Sequence, residues 1–387
     1  MTQPLETAVK GRRVLLIGPK VPPYGGMALQ GRLMQELMTK DGISVAFLPS
    51  NLPFPKALEF CDRIRGARPF LRSAVFCYQL WKMLHQTEVV HILACSWLYF
   101  FVIACPAIVI SRLRGKRVIL NYRGGEADHF FRWYALPLKP FFRMAHVVTA
   151  PSKFLVEVIS RRIGVPVEIV PNIVNFRSFV YRERKPVKPK MIVTRHLLKL
   201  YDIESVIRAF GKVQNRYADA SLLIVGTGDQ EKYLKGLVAE LKLQNVQFLG
   251  YVPQQDLPAL YEQCDIMLNA SRADNFPGSL MEGAASGLVV VSTGVGGIPY
   301  IFENGASAIL VEPGDWTALA EGALRVLEDP GFASRLTKEA LQQCRRYDWQ
   351  NVRQLLYPIY GFGGNAKDSM DRGSTRLSVA AGEVRGQ

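Results

Sequence analysis

At 387 residues the chain can hold two ordinary domains, each with its own core, and 49% hydrophobic with 21% charged residues is a globular composition that excludes a fibrous or wholly disordered chain. Its net charge of +15 is one-sided: residues 1–190 hold 29 Lys and Arg against 11 Asp and Glu, and residues 191–387 hold 19 against 22. A field on the first half alone suits an anionic partner, whether a membrane leaflet, nucleic acid or a phosphorylated substrate, and equally serves plain solubility, while the six cysteines (61, 77, 95, 105, 264, 344) show no Cys-x-x-Cys pair or regular spacing and fit a reducing, cytoplasmic setting without structural zinc or disulfides.

In chain order, the polar start Met1-Thr-Gln-Pro-Leu-Glu6 lacks the apolar stretch of a signal peptide. The first strand, Val14–Gly18, runs into a loop ending in Gly25-Gly26 and then a helical pattern at Leu29, Leu33, Met34 and Leu37. Paired glycines at a helix start let backbone approach a ligand closely. A strand follows at Ser44–Leu48. The run Val89 to Ser111 has the length of a membrane span, but Val89–Leu93 reads as a buried strand, Cys95-Ser96 as a turn, and the rest as an apolar helix ending at Arg112. Strand Val118–Tyr122 then ends in Arg123-Gly-Gly-Glu126-Ala-Asp128. A guanidinium there cannot act as a general base, but it can bind phosphate or a carboxylate. Glu126 and Asp128 make a weak metal pair, and His91 and His146 read as packed or capping residues. Strands at His146–Ala150 and Glu168–Val170 complete the half.

The polar stretch 176–190, rich in proline and charge, suits an exposed linker. Beyond it come strands at Met191–Thr194, Leu222–Val225, Val246–Leu249, Ile266–Ala270, Leu288–Ser292 and Ile309–Val311, again alternating with helical patterns. The expectation is therefore an α/β protein with two doubly wound sheets facing a cleft: a first domain over 1–175, the linker, and a second domain over 191–345. After Thr194 stand Arg195 and Lys199, ahead of a helix whose core face is Ile203, Val206, Ile207 and Phe210. Gly226 and Gly228 follow the next strand, and Gly250-Tyr251-Val252 the one after. Residues 346–360 read as a helix with Trp349, Val352, Leu355 and Leu356 on one face, and 361–387 as a disordered tail.

The segment Asp274-Asn-Phe276-Pro277-Gly278-Ser279-Leu280-Met-Glu282, followed by a glycine-rich turn at 294–297, sets two carboxylates eight residues apart across a loop-to-helix junction. A helix N-terminus offers unpaired N–H donors to a phosphate, and flanking carboxylates can accept from ribose or sugar hydroxyls. A nucleotide sugar carries both kinds of group.

These residues resemble the donor-site motif of retaining nucleotide-sugar glycosyltransferases of family 4 (group 1 type), with Asp274 where that family usually has glutamate. The resemblance runs over roughly 12–360. It implies the two-domain GT-B fold, with 346–360 crossing back to the first domain, and a hexosyl transfer that needs no metal or other cofactor. It places Glu282 on the ribose, the N–H groups after Pro277 on phosphate, Arg195 with Lys199 on the diphosphate, and Asp274 near the sugar. It also places Arg123 near the transferred sugar, Gly25 and Gly26 facing the pyrophosphate, and Gly226, Gly228 and the 250–252 backbone around the nucleotide. The expected acceptor is a glycan or lipid-linked precursor of polysaccharide synthesis, met at the inner face of the plasma membrane with no nucleic acid involved. A GT-B nucleotide-sugar epimerase and a non-catalytic carbohydrate-binding relative are the alternatives.

Overall fold

The computed structural model describes residues 9–22, 25–54 and 68–362. Its first half is a parallel six-stranded sheet of β1 (Arg13–Gly18), β2 (Ser44–Pro49), β3 (Val89–Ala94), β4 (Arg117–Tyr122), β5 (Val147–Ala150) and β6 (Glu168–Ile169), in the order β2-β1-β3-β4-β5-β6. The second half repeats the plan with β7 (Lys190–Thr194), β8 (Ser221–Val225), β9 (Val246–Gly250), β10 (Ile266–Asn269), β11 (Val289–Thr293) and β12 (Ile309–Val311), ordered β12-β11-β10-β7-β8-β9. The alternation of side chains along a strand decides the layers. In β1, Leu15 and Ile17 enter the core under α2 (Arg68–Met83), α3 (Cys105–Leu113), α4 (Ala127–Met144) and α5 (Lys153–Ile163). Val14 and Leu16 face the other way, toward α1 (Gly26–Lys40).

Val89–Ser111 is the expected strand and apolar helix, with a π-helical turn at Phe100–Ala104 before α3. No described helix is long and apolar enough to cross a membrane. In α1 the buried stripe is Ala28, Gly31, Met34 and Met38, so Leu29, Leu33 and Leu37 sit on its flanks. The second sheet carries α6 (Ile203–Gln214), α7 (Glu231–Glu240) and α10 (Trp316–Glu328) on one side. On the other lie α8 (Leu257–Gln263) and α9 (Gly278–Ala285), with α11 (Pro330–Cys344) at the margin.

The chain passes between the halves twice, at adjacent points. Ile173 belongs to the first core and Val174 to the second, and the return runs from Tyr347 to Trp349. The Val174 N–H donates to the Tyr347 carbonyl at 2.9 Å, and the Gln30 amide brackets Ile173 with bonds of 2.9 and 2.8 Å. Helix α12 (Trp349–Tyr360) then packs on the first domain beside α1. Asp41 receives three of its donors: Trp349 Nε1–H at 3.0 Å, Arg353 Nη1–H at 3.2 Å and Tyr357 O–H at 2.6 Å.

Two expectations need correction. Leu355 is 44% exposed, because Arg353, Tyr357 and Tyr360 turn the buried stripe to the other side of Trp349. The 176–190 stretch is not a free linker: Phe179 and Val187 are buried, and Arg184 is 3% exposed. The Arg184 guanidinium donates to the Tyr261 and Cys264 carbonyls and to Asp265, which satisfies it at the C-terminal end of α8. Of the expected tail, Gly361 caps α12 and Phe362 is buried against Tyr360, while 363–387 lie outside the described residues.

Candidate active site

Strands β7 and β10 are neighbours, yet the chain leaves β7 toward β8 and leaves β10 toward β11, on opposite sides. Such a reversal opens a crevice at the carboxyl ends of the two strands. Arg195 follows β7 and Asp274 follows β10, and they meet there: Arg195 Nη2 lies 2.6 Å from Asp274 Oδ2, with side chains 13% and 12% exposed. Arg195 Nε–H also donates to Asn269 Oδ1 at 3.1 Å, and Tyr201 lies under its guanidinium at 5.3 Å. Asn269 is itself fixed by Ser271 Oγ–H and Ser292 Oγ, so the cation is oriented before any ligand arrives.

Asp274 Oδ1 accepts the Phe276 N–H at 3.2 Å, which turns the chain into α9. Pro277 stands just outside that helix, as its N-cap, and the first amide with an intrahelical acceptor is that of Met281. The N–H groups of Gly278, Ser279 and Leu280 therefore open the helix unspent. One turn later Glu282 accepts from Gln254 Nε2–H and Tyr261 O–H, both at 3.3 Å. Burial raises its pKa above the ordinary carboxylate value, against the lowering effects of Gln254, Tyr261 and Arg195. The glycine turn is required by the loop itself: a Cβ at Gly296 would lie 2.0 Å from the Asp274 carbonyl oxygen, and one at Gly297 1.8 Å from that of Asn275.

Other expected site residues are placed differently. Phe276 is buried edge-on against Tyr347 at 5.0 Å, so its ring packs the core and does not reach the crevice. Gly226 and Gly228 admit the protein's own backbone, since a Cβ on either would fall about 2 Å from the Arg195 or Leu197 carbonyl oxygen. Lys199 sits on an exposed 3-10 turn and lines an outer groove with Asp202, Glu204 and Gln230. Gly250 has φ +64° and open space around it, Tyr251 is 44% exposed, and Val252 packs partly on the core.

On the first domain the strand order reverses between β1 and β3, and the loop after β1 carries Gly25 and Gly26, where a Cβ would meet nothing within 4 Å. Arg123, after β4, is tied to Asn121 and Asn172, and burial pushes its pKa down to about 10. Asn172 Nδ2–H reaches the Phe276 carbonyl at 3.5 Å and Asn275 Nδ2–H reaches that of Gly124, so the two domains touch across the crevice. Glu126 accepts from the Trp97 indole, and Asp128 pairs with Arg161 and Arg162. His91 is buried against the Tyr360 hydroxyl at 2.7 Å and held neutral, with a pKa lowered to about 3 by burial and by Arg123. His146 Nδ1 accepts the Val118 N–H.

Sequence reasoning missed Asn269, Tyr261, Gln254 and Asn172. An asparagine closing the apolar run Ile266–Asn269 was the available signal for the first; the others had none.

Comparison with known proteins gives a consistent match. The profile described as "Glycosyltransferase Family 4" covers residues 25–177, and that described as "Glycosyl transferases group 1" covers 179–343. The chain is 33% identical over 160 residues to an uncharacterised glycosyltransferase of Methanocaldococcus jannaschii, spanning 41% of each chain. It is 23% identical over 337 residues to the N-acetyl-alpha-D-glucosaminyl L-malate synthase of Bacillus anthracis, spanning 80% of this chain and 86% of that one. The crystal structure of Anabaena HepE in complex with UDP superposes with TM-score 0.71 at 17% identity, over 90% of this chain and 99% of that one.

Proposed function

The chain belongs to the group 1 glycosyltransferases of family 4 and has their GT-B fold, and from that premise we propose that it transfers a sugar from a nucleotide-sugar donor, with retention, using the β7/β10 crevice as donor site. The observation that carries this is the Arg195 cation, oriented by Asn269 and Asp274 beside the unspent amides that open α9. A diphosphate fits that pair of features, and Glu282, one turn on, is a carboxylate for ribose hydroxyls. Asp274 serves the sugar hydroxyls, and Arg123 anchors the facing domain. The bond from the anomeric carbon to the phosphate oxygen breaks as the acceptor oxygen bonds to that carbon on the same face, and the acceptor proton passes to the departing phosphate. Arg195 stabilises the charge growing on that phosphate, so no resident metal is assigned to the step. The reported relatives are named as transferases or synthases, which favours transfer over the epimerase and binding-only readings.

We further place the protein at the inner face of the plasma membrane, where its basic first half meets a lipid-linked or glycan precursor. The charge of residues 1–190 supports this. Thermal denaturation with UDP, GDP, ADP and their sugar conjugates tests the donor site, since a ligand at 100 times its Kd stabilises by about 2.7 kcal/mol. No shift with any nucleotide would remove the assignment.

A further inference from the structure

Helices α2, α3 and α4 lie side by side on the outer face of the first sheet, α2 against α3 and α3 against α4. Their inner sides are consumed by the core. Their outer sides carry large apolar groups in the open: Phe70, Tyr78 and Trp81 on α2 are 63%, 62% and 46% exposed, Leu113 on α3 is 76%, and Trp133 and Leu136 on α4 are 68% and 85%. A patch of this kind marks an interaction surface.

Its charge says with what. The three helices carry seven Lys or Arg and one acidic residue, Asp128, whose carboxylate is taken by Arg161 and Arg162. Cations and rings are interleaved: Arg114 stacks on Trp81 at 4.3 Å and Lys82 lies over Tyr78 at 5.4 Å. A protein interface depletes charge from its centre, and a second copy laid face to face would set these cations against their own kind. A nucleic acid would gain nothing from Leu113 and Leu136. A bilayer accepts all three components, with aromatic rings at headgroup level, aliphatic side chains below them, and Lys and Arg on headgroup phosphates. At the carboxyl end of β3 the face continues to Trp97, Leu98 and Phe101, with Trp97 and Phe101 edge-on to Tyr134 at 6.3 and 5.4 Å. That is the rim of the crevice, next to Gly124.

We propose that the α2–α4 face docks on an anionic lipid leaflet and turns the crevice mouth toward it. What the docking serves rests on the glycosyltransferase reading; the docking itself does not. Full-length protein should co-sediment with vesicles of phosphatidylglycerol and phosphatidylcholine at least about tenfold more strongly than with phosphatidylcholine alone. The pair Trp133→Ser/Leu136→Ser should lower that partition about tenfold, and Lys82→Glu/Arg132→Glu should do likewise, while Arg216→Ser on the second domain leaves it unchanged. An unchanged circular-dichroism spectrum and melting temperature certify the fold of each variant. Equal binding to neutral vesicles, no binding to either kind, or indifference to both pairs of substitutions overturns the proposal, as does a concentration-dependent dimer abolished by Trp133→Ser/Leu136→Ser. Vesicle binding without any nucleotide stabilisation would leave the docking standing and remove the donor-site reading instead.

Discussion

In the proposed donor site Arg195 and Glu282 would meet one ligand, and they carry opposite costs in the empty protein. The Arg195 charge is balanced by Asp274 at 2.6 Å, so the free enzyme bears little strain there, and a leaving diphosphate draws on the cation most strongly as its charge develops. Arg195→Ala should lower kcat by roughly 10²-fold or more with a smaller change in KM. Lys199→Ala, altering an exposed turn, should stay close to wild type in the same steady-state assay. Glu282 is the reverse case. Its raised pKa means that the folded protein holds the proton to higher pH than the unfolded chain, so stability falls as pH rises from the unfolded value through the folded one. Glu282→Gln should therefore melt higher than wild type at pH 7 while binding donor more weakly by about 1.5–3 kcal/mol, as read by calorimetry; a lower melting point would show that the carboxylate is held by partners rather than penalised by burial. Residues that announce themselves by charge after a strand, such as Arg195 and Asp274, were legible in the sequence. Asn269 and Asn172 were not, because one amide at the end of a strand or in a loop looks the same whether it orients an arginine or merely closes the backbone. Gly226 and Gly228 were legible as places of close approach, but whose backbone comes close is a tertiary fact.

Among the elements, α9 and α12 show what local pattern can and cannot carry. The junction at Asp274–Glu282 is a local device, an Asx turn followed by a helix start, and its geometry reads directly from spacing. Helix α12 reads as amphipathic from its own residues, but its binding partner is Asp41, some three hundred positions earlier in the chain. Asp41→Ala would leave Arg353, whose side chain is 7% exposed, without that carboxylate, together with the Trp349 and Tyr357 donors. Urea denaturation should show a loss of about 3–5 kcal/mol. A loss under 1 kcal/mol would mean that the helix is held by its apolar face alone. The 176–190 segment misled for a related reason: its prolines and charges are those of a linker, and only the carbonyls at the end of α8 make Arg184 a buried residue.

At the scale of the whole molecule, the two halves are joined by two neighbouring crossings and by light contacts across the crevice. One of these is the Tyr300 hydroxyl donating to Glu157 at 2.8 Å, with Lys153 over the same ring at 5.8 Å. An exposed bond of this kind contributes about 0.2–1 kcal/mol, enough to shift a balance of open and closed forms by a few-fold. Tyr300→Phe should raise the radius of gyration measured by solution X-ray scattering and raise KM without abolishing turnover; an unchanged scattering profile would show that Asn275 and Asn172 hold the crevice unaided. The paired sheets were legible from strand spacing, since each buried parallel strand is a short apolar run. How they close on one another was not, because the contacts are single polar groups on loops. The return of α12 to the first domain also bears on synthesis. On a ribosome the first sheet emerges with α1 covering Val14 and Leu16 but with Ile119 on β4 still waiting for α12, which is made only after the whole second sheet. At about 5–20 residues per second the wait is roughly ten to forty seconds. A nascent chain in that interval is a client for chaperones, a truncation before Trp349 leaves a sticky first domain, and anyone producing that domain alone will have to supply α12 with it.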